Sequence, residues 1–340
     1  MKGNTMNTNQ EMKALFENFN NLNIMIIGDV MIDAYLWGKV ERISPEAPIP
    51  IVALKKRENR MGGAANVAMN IKSMGAKPVL CSVIGMDEKG DNFLSLLNKE
   101  KIDQDGIYRS PDRITTTKFR IFGNNTQMLR VDEEVEHDIS AQDFAALSQI
   151  IEHKIKTDKI DCIIFQDYNK GVITPALISN VVSLARSKNI PVTVDPKKKN
   201  FSAFEGVTLF KPNLKELKEG IKTDFDPENR ELLMRASQEL RSKLNCDYVL
   251  ATLSEHGVMI SLKDHSGEKN IFIPAHKRSV SDVSGAGDTV ISVASLCLAM
   301  KRSPYEIAYI SNLAGGLVCE ETGVVPVNKD KLIKEVLALL

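Results

Sequence analysis

Short apolar runs alternate with helix-spaced patterns along almost the whole of this chain, and few folds accept that alternation. A strand followed by a helix and then a second strand returns parallel to the first, so a series of such units builds a mostly parallel sheet with helices on its faces. The pattern predicts strands at Asn23–Gly28, Pro78–Ile84, Asp161–Gln166, Pro191–Val194, Thr208–Phe210 and Tyr248–Thr252. Helices are expected at Glu88–Lys99, Ala141–Lys156, Pro175–Ser187 and Glu228–Leu244. Another begins after Gly62-Gly63, where Val67, Ile71 and Met74 recur at helical spacing and Gly75 stands where a helix closes. Two segments break the rhythm: Ala34 to Arg60, with Pro45, Pro48 and Pro50, and Arg113 to Asp132, rich in β-formers. Neither holds a helix, so their strands cannot be crossovers of the main sheet. They are expected to form a small antiparallel sheet projecting from it, a lid made of 34–60 and 113–132 within a single domain, 1–340. Such a sheet has a face and edges that seek a ligand or a second subunit.

Charge then narrows the ligands. Lys plus Arg and Asp plus Glu both number 44, so no net field draws the chain to nucleic acid or to an anionic membrane, and any anion must be held by local groups. The cysteines, Cys81, Cys162, Cys246, Cys297 and Cys319, are odd in number and contain no C-x-x-C, which reads as buried free thiols in a reducing compartment. Met1 to Asn23 is polar and amphipathic rather than a leader, and no apolar run reaches the ~18 residues that span a bilayer, so a cytoplasmic protein is expected. His137, His153, His256, His265 and His276 show no ligand spacing, and no zinc site is expected.

The sharpest local signal is Asp282-Val283-Ser284-Gly285-Ala286-Gly287-Asp288-Thr289, which leads into the apolar run Val290 to Met300. Glycines at a helix start let the backbone approach an anion, and the free N–H groups and dipole favour negative charge there. Asp288 does not suit a purely phosphate-binding turn, because its charge repels phosphate. It suits a base that deprotonates a hydroxyl for phosphoryl transfer. The plainer reading is a glycine turn capping a core helix. Neither the third glycine of a dinucleotide fingerprint nor a G-x-x-x-x-G-K-[ST] run is present. Ligands of an α/β sheet collect beyond the carboxyl ends of its strands. Gly28-Asp29 with Asp33, Asp167 to Gly171, Asp195-Pro196-Lys197, Asn213 with Glu216, and Thr252 to Gly257 all fall there.

Taken in order, these segments resemble the PfkB, or ribokinase-like, family of sugar kinases over nearly the whole chain. Gly62-Gly63-Ala64-Ala65-Asn66-Val67-Ala68 is similar to the family's first signature and Asp282 to Thr289 to its second. Lys211-Pro212-Asn213-Leu214-Lys215-Glu216 resembles its N-P-N-x-x-E element, with lysine in place of the first asparagine. Within the family, Gly28 to Asp33, Arg42 to Pro50 and Gly62 to Asn70 are similar to kinases of heptose 7-phosphate, which phosphorylate the anomeric hydroxyl on the route to ADP-heptose. Thr116, Lys118 and Arg120, followed by Asn125, Gln127, Arg130 and Asp132, support the likeness. The nucleotidyltransferase domain that many bacteria fuse to such a kinase is not expected in a sequence that stops at Leu340.

The resemblance implies a ribokinase-like three-layer α/β fold with a mostly parallel central sheet and a small projecting β-sheet lid. It implies ATP as co-substrate, Mg²⁺, and by analogy a monovalent cation near Asp282. Asp288 would be the base, and the N–H groups of Gly285, Ala286 and Gly287 the anion hole. Asp29, Asp33 and Asn66, with Gly62 and Gly63, would bind the sugar, and Lys118, Arg120, Arg130 and Lys170 are candidates for its distal phosphate. Asn213, Thr252, Ser254 and Gly257 would border the nucleotide, with Asn312, Gly315 and Gly316 at its base. Asn213 and Glu216 would hold Mg²⁺ through water, although an N-cap with an acid at N3 gives the same spacing. The expected assembly is a homodimer through the lid. The alternatives are another ribokinase-like sugar kinase, or a catalytically inactive sugar-sensing protein, against which an intact Gly285-Ala286-Gly287-Asp288 speaks.

Overall fold

Ile24, Met25, Ile26 and Ile27 are all fully buried, which a strand achieves only where both faces of its sheet are covered. The computed structural model describes residues 2–339. Its first half runs α1 (Lys2–Asn18), β1 (Asn23–Gly28), β2 (Val30–Ile43), β3 (Pro50–Gly63), α2 (Ala64–Ser73), β4 (Lys77–Gly85), α3 (Glu88–Lys99), β5 (Ile107–Ser110), β6 (Thr117–Gly123), β7 (Thr126–Glu133) and α4 (Ala141–Thr157). The second half runs β8 (Cys162–Gln166), α5 (Pro175–Ser187), β9 (Val192–Asp195), β10 (Leu209–Phe210), α6 (Leu214–Ile221), α7 (Arg230–Leu244), β11 (Tyr248–Thr252), β12 (Val258–Asp264), β13 (Gly267–Ile273), α8 (Ala286–Ala299), α9 (Pro304–Val318) and α10 (Lys329–Leu339).

Nine strands form the main sheet in the order β13-β12-β11-β10-β9-β8-β1-β4-β5. From β5 to β11 every pairing is parallel, and β12 and β13 continue the sheet antiparallel. Alternate side chains of β1 feed two cores. Ile24 and Ile26 pack with α2, α8 and α9, whereas Met25 and Ile27 pack with α4, α5 and the strand β8 residue Phe165. The helices begin where their caps stand. The Thr174 hydroxyl accepts from the Leu177 N–H ahead of Pro175, and Asp87 accepts from the Gly90 N–H at 2.6 Å.

The lid is a separate four-stranded sheet, β3-β2-β6-β7. It differs from the expected sheet in one respect. Its outer pairs are antiparallel, but β2 and β6 pair in parallel, from Ile32 opposite Thr117 to Gly38 opposite Gly123. Both central strands leave the main sheet outward, and β3 and β7 are their hairpin returns. The strands also extend past the expected bounds, since β2 starts only one residue after β1 and β3 runs on to Gly63. Register shifts at Trp37/Gly38 and Val40/Arg42 mark β-bulges, which bend a strand away from the body.

Candidate active site

The helix α8 opens with Gly285 at φ +82, a left-handed conformation that a side chain resists. Asp288 follows in its first turn, 6% exposed. Its Oδ2 accepts from Asn66 Nδ2 at 2.7 Å, and its Oδ1 accepts from the Tyr168 hydroxyl at 2.8 Å and from Gln166 Nε2 at 3.1 Å. Burial raises the carboxyl to about 6, against the hydrogen bond from Asn66, and the nearby Asp195 charge pushes it the same way. Asn66 is itself fixed: Asn70, one turn on, donates to its carbonyl at 3.0 Å and accepts from the Thr289 hydroxyl and the Val327 N–H. So α2, which follows Gly63, and α8 meet at the carboxylate.

Behind Asp288 lies a buried charged layer. Lys211 Nζ is 3.1 Å from Asp195 Oδ2, and Gln166 Nε2 lies between Asp195 and Asp288, 3.3 Å from the former. Lys197 pairs with Glu216 and stands 5.9 Å from the centre of the Tyr168 ring. Gln166, Tyr168, Asp195, Lys197 and Lys211 had no role assigned from sequence. Their signal was position, since each lies at or just past the carboxyl end of β8, β9 or β10.

Several expected residues have other employment. Asp29, 1% exposed, accepts from the N–H groups of Tyr168 at 2.8 Å, Lys170 at 3.1 Å and Val172 at 3.0 Å. Its carboxylate is thus spent on the loop after β8 rather than free for a sugar, even though burial raises its proton affinity. Asp33, 3% exposed, is paired with Arg120, whose guanidinium lies 5.4 Å from the Tyr35 ring centre, with Arg60 at 4.8 Å from the same ring. A Cβ on Gly62 would collide with Asp33, and Gly63 has φ +61, so these glycines bring β3 against the site.

Every cation expected to hold a phosphate is paired. Lys118 holds Asp132 and Glu134, both at 3.1 Å, and Lys170 holds Glu134 at 2.7 Å and Glu136 at 2.8 Å. Arg130 is half exposed and pairs with Asp132 at 2.9 Å. Of the three expected anion-hole donors, Ala286 N–H points back to the Val283 carbonyl at 3.3 Å, which leaves Gly285 and Gly287 for the role.

Asn213 and Glu216 form a reciprocal capping box on α6. Asn213 Oδ1 accepts from Glu216 N–H and Glu216 Oε2 accepts from Asn213 N–H, each at 2.9 Å. The remaining oxygen, Oε1, receives the Lys197 ammonium. Among the described residues no group of three or more His, Cys, Asp or Glu side chains could hold a metal ion. An oxygen that already accepts a cation fits a magnesium ion held through water and phosphate, not one held in a protein cage.

Thr252 bridges to Asn213, and its N–H donates to the Pro212 carbonyl at 3.0 Å. Ser254 at φ +53 and Gly257 at φ +91 turn the chain sharply between β11 and β12. Asn312 donates to the Pro274 carbonyl at 2.9 Å, whereas Gly315 is buried where α9 crosses Val290 of α8 and Gly316 faces Arg278. A depression of 680 Å³ lies away from these groups. It opens at the other end of the sheet, between Arg186, Lys188, Thr208, Asp247 and Lys301.

A mostly parallel sheet with a β lid, and a buried carboxylate at a glycine-led helix start beyond its strands, define a carbohydrate-kinase architecture. The sequence pattern of the pfkB family carbohydrate kinases matches residues 21–331, and the chain belongs to that family. It is 39% identical over 312 residues to the bifunctional protein HldE of Methylobacillus flagellatus, covering 92% of this chain and 62% of that protein. With the HldE of Geotalea uraniireducens it shares 36% over 327 residues, 96% of this chain and 65% of the relative. The chain therefore spans less than two thirds of these relatives. Phosphofructokinase-2 from Escherichia coli in complex with potassium superposes with a TM-score of 0.74 at 18% identity, covering 93% of this chain and 98% of the other. Arabidopsis thaliana ribokinase with ribose and ATP gives 0.69 at 16%, covering 94% and 99%. These two likenesses establish a ribokinase-like fold.

Proposed function

We propose that the chain transfers the γ-phosphoryl group of ATP to the anomeric hydroxyl of D-glycero-β-D-manno-heptose 7-phosphate, giving the 1,7-bisphosphate for ADP-heptose and lipopolysaccharide core synthesis. The observation that carries the chemistry is Asp288, buried at the start of α8 with its carboxyl raised to about 6. A base in that range is ionised at neutral pH yet close enough to accept a proton as the hydroxyl attacks. Gly285 and Gly287 face the migrating phosphoryl with their N–H groups, and the helix dipole favours its charge. Magnesium bound with the nucleotide would neutralise phosphate charge, with Asn213 and Glu216 reaching it through its water shell. A monovalent cation belongs beside Asp282, whose carboxyl backbone N–H groups hold below the usual range against the pull of burial.

The choice of sugar rests on Gly28 to Asp33, Arg42 to Pro50 and Gly62 to Asn70, the segments that resemble heptose 7-phosphate kinases; they supply Asp33 and Asn66 to the site. For the distal phosphate, Lys118 and Lys170 are the pair of choice. Both ammonium groups converge on the Glu134 carboxylate, which holds the place of an anion. The Ile43, Ile49, Leu54, Met128, Leu129 and Val131 side chains of the lid are exposed, and docking of two lids would cover such apolar surface in a homodimer. The proposed setting is the cytoplasm, and no helix among the described residues is long and apolar enough to cross a membrane.

The test is ADP release with a panel of sugar phosphates, followed by phosphorus NMR of the product. Heptose 7-phosphate should give a second ester at the anomeric carbon. Turnover confined to a hexose or pentose substrate would move the reading to another ribokinase-like sugar kinase, and no turnover with any sugar would favour an inactive sugar-binding protein.

A further inference from the structure

Lys211 is where this chain departs from the N-P-N-x-x-E element, and the structure buries it to 2% exposure. An ammonium so deep requires a partner, and Asp195, itself 5% exposed, provides one at 3.1 Å. The point that a Cβ on Gly287 would occupy is 3.6 Å from both Lys211 Nζ and Asp195 Oδ2. The ion pair therefore lies directly beneath the first turn of α8, beside the residue that precedes the base. Gln166 completes the link, because its Nε2 donates to Asp195 at 3.3 Å and to Asp288 at 3.1 Å.

Around Asp288 the groups are few. Asn66 comes from α2, Gln166 and the Tyr168 phenol from β8 and its loop, Asp195 and Lys197 from β9 and beyond, and Lys211 from past β10. Asp33, whose charge acts on the Tyr168 phenol, is itself paired with Arg120. We infer that Lys211 is a positioning residue for the catalytic base: its ammonium neutralises Asp195, so that Asp288 meets a neutral pair instead of a second negative charge. The inference rests on Asp288 being the base. Without Lys211, two carboxylates would share one bridging amide in a dry site, and one of them would keep its proton to higher pH.

The test compares kcat against pH at saturating substrates for wild type, Lys211→Met, Asp195→Asn and the double variant. Titration of the substrate phosphates is common to all four and cancels. The acid limb of Lys211→Met should move up by roughly one pH unit. That of Asp195→Asn should move down, and the double variant should return towards wild type. A lysine that only fills space would lower kcat equally at every pH, and an unmoved limb in Lys211→Met overturns the inference. Should Lys211→Met fail to fold, the direction of the Asp195→Asn shift decides, and an upward or absent shift is fatal. Asp288→Asn, measured beside them, separates the two claims: if it retains turnover, the base assignment has failed, whereas loss of turnover with unmoved limbs elsewhere sinks only the role of Lys211.

Discussion

Asp288→Asn preserves the volume and the contact with Asn66 but removes the proton acceptor. Turnover should fall by about 10²–10⁴-fold in single-turnover assays while ATP and sugar still bind, and near wild-type kcat would remove Asp288 from catalysis. The pH dependence follows from the same group. The base acts ionised, and with its carboxyl at about 6 the rate should hold at neutral pH and fall as pH drops through that value. Asp288, Gly285 and Asn66 were legible because each sits in a short contiguous motif. Asp195 was legible as a rim residue, but its meeting with Gln166 was not, because they are partners across β8 and β9 and sequence spacing carries no register between parallel strands. The lysines and arginines chosen for phosphate are all paired: Arg130 has Asp132 two residues along its own strand, but Glu134 reaches Lys118 and Lys170, and Asp33 reaches Arg120, only through the folded lid.

Among the elements, α6 shows how one spacing can serve two purposes. Its capping box accepts either glutamate or glutamine at N3, so Glu216→Gln should change stability by less than about 1 kcal/mol in denaturant titration. The same change removes the charge that Lys197 now holds. If Glu216 also holds the magnesium shell, the magnesium concentration needed for half-maximal rate should rise. Superimposable magnesium curves would leave capping as its sole task. Elements that alternate cleanly were readable in advance: β1, α3, α5 and β11 have the bounds the pattern predicts. β5, with four residues at the edge, and the β12–β13 hairpin went unread. The hairpin turns at Asp264 to Gly267, with Gly267 at φ +114, and departs from the βα rhythm that organised the rest. The parallel β2–β6 pair escaped for a related reason: two hairpins predict antiparallel neighbours, and only their common exit from the main sheet makes the inner strands run together.

At the scale of the whole molecule, the exposed apolar side chains of the lid call for a test in solution. Sedimentation across micromolar concentrations should show a dimer, and replacing Leu54 and Leu129, 49% and 55% exposed, by lysine should yield monomers that retain the fold. A wild-type monomer at those concentrations would end the dimer proposal. The lid segments should also gain protection from hydrogen exchange when sugar is added, as closure over a substrate excludes water. Asp29 carries a consequence of a different kind. It stands at the close of the first strand, yet it gathers three amides from a loop 139 to 143 residues later, and the hydroxyl of Tyr168 in that loop touches Asp288. Asp29→Asn should therefore depress kcat while calorimetric affinity for the sugar stays near wild type. To a geneticist it would look like an active-site lesion, although the carboxylate is held by backbone amides: a knot tied early in the chain keeps a distant tyrosine in place.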